Sequence, residues 1–508
     1  MHPNTSYHTI VQSTHYTLPD IDTFGAFMSM RAEYGAEHVF LLEALAGHIR
    51  DTHFSFIGFD PLATLRVNDR TVSVTAAPVL RTKIIEKATL DGVLIATSDS
   101  LSLPSRRGLW SFLRSVQQGF YVGDSPGKAS RGLAFGFFGY LGYDTAWAIE
   151  ELPRTITQDS DNWDVHLSIY RGIIRADMRG KASLVIHASD SFPVSQSIDE
   201  IKRTIAIPSG IPSLSQQTAI PQIPAPLRRS DSTDKNTYCR SVKKALDYIA
   251  IGDIYQVQIG HEISFTSTAH PFDVYRRLRM KNPSPYMYLA PFGELTLVGA
   301  SPELFVELVK GQIRMRPIAG TARRSSNPEE DEQLKNALRR DEKEMAEHIM
   351  LVDLCRNDVG RVCRPGTLNV DEIAIFESYS HVHHLVSNVM GMIEEGKDSY
   401  DVIAATFPAG TMTGAPKIRA MEIIEELETT RRGVYAGAVG MIGFDNSVLM
   451  ALCIRTATHH RDRFFVRASA GIVADSVPEN EWRETLRKMA ALYWAIGDEE
   501  LNSESLTD

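Results

Sequence analysis

The chain has 508 residues, 43% hydrophobic and 23% charged, which is ordinary for a folded protein of two or three domains with a large core. Its formal charge of -10 provides no basic surface for nucleic acid, so an anionic substrate has to be met by a few local cations or by a metal. No run approaches a membrane span, residues 1–14 lack a basic start and apolar core, and Cys239, Cys355, Cys363 and Cys453 form no C-x-x-C pair, so the expectation is a cytoplasmic protein with reduced thiols, without membrane or nucleic-acid partners.

Taken in order, residues 17–205 read as a mixed α/β region of short strands. The apolar run Val39-Phe40-Leu41-Leu42 enters Glu43, and 54–58, 132–140 and 183–187 are further strand candidates, with tight turns such as Gly139-Tyr140-Leu141-Gly142-Tyr143-Asp144 between elements. Between 206 and 234 the composition shifts to proline, serine and glutamine (Pro208, Pro212, Pro221, Pro224, Pro226), which marks a linker or an exposed crossover. Beyond it, Val242, Leu246 and Ile249 give a helix over 235–250. Strands at 255–259, 294–298 and 304–308 then alternate with helices, one of them at 416–428, and the charged stretch 329–340 reads as a solvated helix or loop.

Most of the candidate chemistry lies after the linker. In Asp341-Glu342-Lys343-Glu344-Met345-Ala346-Glu347-His348-Ile349, residues Met345, Ile349 and Val352 form one helical stripe with Glu344 and Glu347 beside it. Asp341 with Glu344 also spells a capping box, and an E-x-x-E pair is commonly a solvated face. Against that, Met350, Leu351 and Leu354 make the next turn apolar nearly all round, and carboxylates leading into a buried face must be paired, protonated or bound to a cation. Glu481 and Glu484 repeat the device beside a stripe of Trp482, Leu486, Met489 and Tyr493, behind a helix start at Ser476 and Pro478. Together the four carboxylates point to an all-oxygen site suited to Mg²⁺.

Other segments leave two readings open. The turn from Phe407 to Lys417, with Gly410, Thr411, Thr413 and Gly414, serves equally as an anion site at a helix start or as a plain cap by Thr413. Glu303, in Ser301-Pro302-Glu303, could place a carboxyl in a pocket. Arg455 reads as a charge inside an apolar strand, either paired structurally or awaiting a carboxylate, and His384 as a proton carrier or one of a structural histidine cluster.

These residues carry a resemblance. The segments Gly252-Asp253-Ile254-Tyr255-Gln256-Val257, Ser301-Pro302-Glu303-Leu304, Arg316-Pro317-Ile318-Ala319-Gly320-Thr321, 344–362, His384-Leu385-Val386-Ser387, 409–417 and Ala470-Gly471-Ile472-Val473-Ala474-Asp475-Ser476 resemble the chorismate-utilising enzymes, and among them anthranilate synthase component I. The match is close after the linker and looser before it. It implies an α/β (α+β) fold, a two-lobed sandwich of large antiparallel sheets with flanking helices: a lobe with a tryptophan-sensing region over 1–205, a linker over 206–234 and a chorismate-binding catalytic region over 235–508. It further implies a Mg²⁺-dependent lyase that converts chorismate and ammonia to anthranilate and pyruvate in tryptophan biosynthesis or a related pathway, with ammonia drawn from glutamine by a separate glutaminase subunit.

Carried over position by position, the resemblance assigns Mg²⁺ to Glu344, Glu347, Glu481 and Glu484. It assigns substrate contacts to Thr411, Tyr435, Arg455, Gly471 and Lys488, the acid that helps the C4 hydroxyl leave to Glu303, and assistance in the second step to His384. Gln256 stands where water-adding relatives have a lysine, and Ala319 where aminodeoxychorismate synthases commonly have a nucleophilic lysine; both favour ammonia addition at C2. The alternatives are an aminodeoxychorismate synthase component I, a 2-amino-2-deoxyisochorismate synthase that keeps the pyruvyl group, and a non-catalytic binding subunit, against which the retained carboxylates speak. The tryptophan pocket corresponds to Leu42, Glu43, Ala44, Pro285, Tyr286 and Met287. Ala44 and Met441 replace a serine and a tyrosine of the family there, which implies weak inhibition by tryptophan, and Ser469 stands where the family has glycine.

Overall fold

The computed structural model describes residues 7–47, 54–123, 133, 135–157, 162–206, 220–378 and 382–497. It is a mixed α/β fold of large antiparallel sheets with flanking helices, antiparallel throughout its described pairings except where Thr9–Val11 run parallel to Phe120–Val122. The sheets cross the linker. Strand Val39–Glu43 pairs with Phe54–Asn68 on one side and with Tyr286–Phe292 on the other, and Gly136–Leu141 lies between Val165–Asp177 and Ala438–Gly443.

Local chemistry accounts for most elements. Thr71–Ala76 alternates exposed and buried positions with Val72 and Val74 inward, the period of a half-buried strand. Helix Lys235–Ala250 starts where the Asp234 carboxylate accepts the Thr237 N–H at 2.8 Å. The strand expected at 54–58 runs on to Asn68, and a register shift between Pro61 and Ala63 accommodates the proline within it. Of the segment 206–234, residues 207–219 lie outside the described residues. Its far end is no free chain: Arg228–Asp231 pair with Ile263–Thr266, and the Pro221 carbonyl accepts from the buried Arg277 at 2.7 Å.

Two large apolar cores result, each built from both sides of the linker. One joins Leu65, Phe112 and Leu167 to Phe305, Val352 and Met450; the other joins Phe27, Ile57 and Ile174 to Ile259, Leu486 and Met489. Helix Glu342–Gly360 packs in the first against Ile318–Arg323 and Val382–Met392, whereas helix Pro478–Gly497 packs in the second against Arg463–Ile472. The two carboxylate helices are thereby held by different cores, and truncating Leu486 or Met489 to alanine would cost about 2–5 kcal/mol.

Candidate active site

Asp341 caps helix Glu342–Gly360 from one side only. Its carboxylate accepts the Lys343 and Glu344 N–H groups at 3.0 and 3.1 Å, but its own N–H goes to the Leu338 carbonyl at 3.3 Å, so the expected capping box does not close. The Glu344 carboxylate turns instead toward Gly320, lying 3.3 Å from where a Cβ there would stand. One turn on, Glu347 accepts from Gln256 Nε2 at 3.3 Å, and burial together with the charges of Glu344 and Glu484 pushes its pKa up to about 6. Glu344 and Glu481 are raised by burial and by the charge of Glu484. Burial also opposes the charge of Glu484, yet its 2.7 Å ion pair with Lys488 holds it below the usual range. The four glutamates therefore share one electrostatic field, and their donor chemistry, oxygen only, fits a hard divalent cation. As they stand, no three His, Cys, Asp or Glu side chains among the described residues close to metal-binding distance.

Glu303 is buried away from any guanidinium. Its Oε1 accepts from Thr411 Oγ1 at 3.2 Å, and desolvation, only partly offset by Thr411 and Lys488, pushes its pKa up to about 8. A carboxyl in this state carries a transferable proton at neutral pH. Thr411 is fixed by the turn that follows, where Gly414 has φ +144° and a Cβ would stand 2.1 Å from the Gln256 carbonyl oxygen, so only glycine lets the turn pair with strand Gln256–Thr266. Gln256 is fully buried and its Oε1 accepts no hydrogen bond among the described residues. Gly471 faces the same place: a Cβ there would lie 2.7 Å from Gln256 Nε2 and 3.6 Å from Glu347 Oε1.

The cations lie beside the second carboxylate pair, Lys488 on the same helix as Glu481 and Glu484. Lys488 Nζ donates to the Ser469 carbonyl at 3.0 Å, and Arg455, its pKa lowered by burial, donates to the Lys488 carbonyl at 2.7 Å near Tyr435 and the Glu484 carboxylate. Arg455 does not lie within a strand; it sits between Val448–Leu452 and Thr456–His460 with φ 51°, a conformation that turns the chain. His384 Nδ1 donates to the Gly320 carbonyl at 2.8 Å, which places the lone pair of the neutral ring on Nε2, and burial keeps that ring neutral. Ala319 pairs with Leu385 on the adjoining strand. These contacts link Gln256 and Gly471 to Glu347, Glu344 to Gly320 and so to Ala319 and His384, Thr411 to Glu303, and Lys488 to Glu484 and Arg455, with Glu481 and Tyr435 close enough to act on the charges of that group.

Two readings of the Phe407–Lys417 turn fall away. Lys417 is bound at 2.7 Å by both oxygens of buried Asp358, and Thr413 Oγ1 bonds back to the Ala409 carbonyl at 3.2 Å, so neither awaits an anion and Thr413 caps no helix. His383, beside His384, is structural, held between Asp331 at 2.9 Å and Ser378 at 2.8 Å. The stretch 329–340 is a helix, and it buries Asp331 and Leu338. Residues that sequence reasoning passed over are Gln258 and the cluster of Glu428 with Arg432 and Arg467; the only sign of them was polar side chains at inward strand and helix positions.

Away from this site, a cavity of about 600 Å³ is lined by Leu42, Glu43, Pro285, Tyr286 and Met287 together with Phe54, Arg175, Lys310 and Leu449. The Glu43 carboxylate is already engaged by Arg279 at 2.7 and 2.9 Å and by Tyr275 at 2.6 Å. Ala44 is not among the cavity walls; its N–H donates to Ser55 Oγ at 3.2 Å.

The family of chorismate binding enzymes matches residues 86–493, and the chain belongs to it. Over 495 residues, 95% of this chain and 96% of the relative, it is 46% identical to the 2-amino-4-deoxychorismate synthase of Streptomyces globisporus. It is 42% identical over 367 residues, 71% of this chain and 74% of the relative, to anthranilate synthase component 1 of Aquifex aeolicus. The crystal structure of anthranilate synthase component I from Streptococcus pneumoniae matches with a TM-score of 0.68 at 30% identity, covering 87% of this chain and 92% of that one. No helix among the described residues is long and apolar enough to cross a membrane.

Proposed function

We propose that this chain adds ammonia to C2 of chorismate with loss of the C4 hydroxyl, giving 2-amino-4-deoxychorismate. The observation that carries the reading is Glu303, buried and with a pKa of about 8, which supplies the proton that lets the hydroxyl depart as water. Nitrogen bonds to C2, both ring double bonds move along, from C1=C2 and C5=C6 to C6=C1 and C4=C5, the C4–O bond breaks, and the ammonium formed at C2 gives up one proton. The unpartnered, buried Oε1 of Gln256 suits this nucleophile: it accepts an N–H of ammonia and aims the lone pair, whereas an amide is no base for activating water. Lys488 and Arg455 supply cations for the substrate's carboxylates, with Tyr435, Thr411 and the bare backbone at Gly471 completing the walls.

Glu344, Glu347, Glu481 and Glu484 would hold a Mg²⁺, which when bound neutralises their mutual repulsion and attracts a substrate carboxylate. The full-length likeness to the Streptomyces synthase supports release of the amino compound. His384 favours a second reading, in which its neutral ring assists loss of the C2 proton and of pyruvate to give anthranilate. Incubation with chorismate, ammonium and Mg²⁺ decides: an aminated product without pyruvate supports the first reading, whereas equimolar pyruvate and fluorescent anthranilate establish the second. Unchanged turnover in EDTA would remove the metal from the scheme. Glutamine should be used only when a separate glutaminase is added, because no cysteine of this chain lies in a G-x-C-x-G-x-Q setting.

A further inference from the structure

Ser469 lies on strand Arg463–Ile472 and is 1% exposed. Its hydroxyl donates to Gln258 Oε1 at 3.1 Å and stands 2.7 Å from Tyr435 Oη, while its carbonyl accepts from Lys488 Nζ at 3.0 Å. The direction of these bonds is forced. A serine has one proton, an amide oxygen only accepts, and so the Ser469 proton goes to Gln258 and Oγ must receive the proton of Tyr435. With glycine at 469 the phenol would have no such acceptor and would keep its proton for whatever lies in the pocket.

We propose that Ser469 is a positioning residue that turns Tyr435 from a hydrogen-bond donor toward substrate into an acceptor, removing one donor from the recognition of a chorismate carboxylate. The inference rests on the chorismate reading above. In its place the wall offers a phenolic lone pair, which is better matched to an N–H or O–H of the ligand than to an anion. Since Lys488 is tied to the same residue through its carbonyl, the side chain and the backbone of Ser469 together set which groups face the anion.

A double-mutant cycle tests this, using the full chain with chorismate, ammonium and Mg²⁺. Ser469→Gly should lower KM for chorismate about tenfold with kcat within about twofold, as a donor to a charged group is regained. Tyr435→Phe should raise KM about twofold in the unmodified chain but about tenfold in the Ser469→Gly background, because only there does the phenol donate to substrate. Ser469→Thr, which keeps the hydroxyl, should behave as the unmodified chain, and Ser469→Ala as the glycine variant; the alanine variant serves if glycine destabilises the strand. An equal cost of Tyr435→Phe in both backgrounds overturns the proposal. If the unmodified chain neither binds chorismate by calorimetry nor turns it over, the functional reading falls and this inference with it; turnover with an additive cycle removes this inference alone.

Discussion

Glu303 and Glu428 are both nearly closed to solvent, 8% and 6% exposed, and they hold opposite charge states. Glu428 sits between Arg432, at 2.8 and 3.0 Å, and Arg467, at 2.6 Å, and also accepts the Gly260 N–H at 2.9 Å; burial raises its pKa, but the two guanidiniums outweigh burial and hold it below the usual carboxylate range. Glu303 has one hydroxyl and a distant ammonium, so burial prevails. Depth alone therefore decides nothing; the partners do. Structural strength collects at Glu428, where Arg432 also binds the Met412 and Gln258 carbonyls at 2.7 and 2.8 Å, and the movable proton is left at Glu303.

The comparison breaks most sharply at Glu303. Glu303→Gln keeps the shape and a hydrogen-bond acceptor for Thr411 but loses the proton, so kcat should fall about 10²-fold or more with little change in melting temperature. Near-normal turnover would leave the chain with some other acid. At the opposite pole, Arg467→Met leaves a buried carboxylate with half its cationic support and should destabilise the fold by about 3 kcal/mol in urea titration, an effect to be read on folding. A loss below about 1 kcal/mol would mean Arg432 alone suffices.

Acidity gives the next test. With Glu303 raised from 4.5 to about 8, kcat/KM should drop about tenfold per unit above pH 8, and that limb should vanish in Glu303→Gln. The fold binds this proton more tightly than the unfolded chain does, so its contribution to stability is complete below about pH 4.5 and is lost as pH rises to about 8. A limb that survives in the glutamine variant belongs to another group. The smallest effect concerns a third buried glutamate. Glu43 resembles Glu428 in being paired, with Arg279 and Tyr275, so an amino acid entering the adjacent cavity meets no spare carboxylate held for it. Inhibition by tryptophan should be weak, and since Ala44 lies outside the cavity wall, Ala44→Ser should change it by less than about twofold; inhibition of the unmodified chain at low micromolar tryptophan would contradict this.

The two carboxylate pairs and Glu303 were legible because each pairs an acid with a local pattern: i, i+3 glutamates entering an apolar helix, or a proline-led turn after a strand. The ion clusters that hold the site were not. Arg467 and Glu428 are 39 positions apart and Lys417 and Asp358 are 59 apart, so the chain shows each as a lone charge and only the fold makes them partners. Distance along the chain also hid Ser469 from Tyr435, 34 residues away. Arg455 was misplaced for a different reason: apolar neighbours spell a strand, but burial around a bend leaves the same pattern.

The crossing of the sheets over the linker has a practical consequence for anyone who trims this protein to the region that carries the chemistry. Removing the first 205 residues would strip Val39–Glu43 from Tyr286–Phe292 and Gly136–Leu141 from Ala438–Gly443, leaving two apolar strands with raw edges. Open edges of that kind recruit strands from other molecules. A fragment beginning at 235 would therefore precipitate during expression even with every catalytic side chain present, whereas supplying the missing segment as a separate chain should recover soluble material by strand complementation.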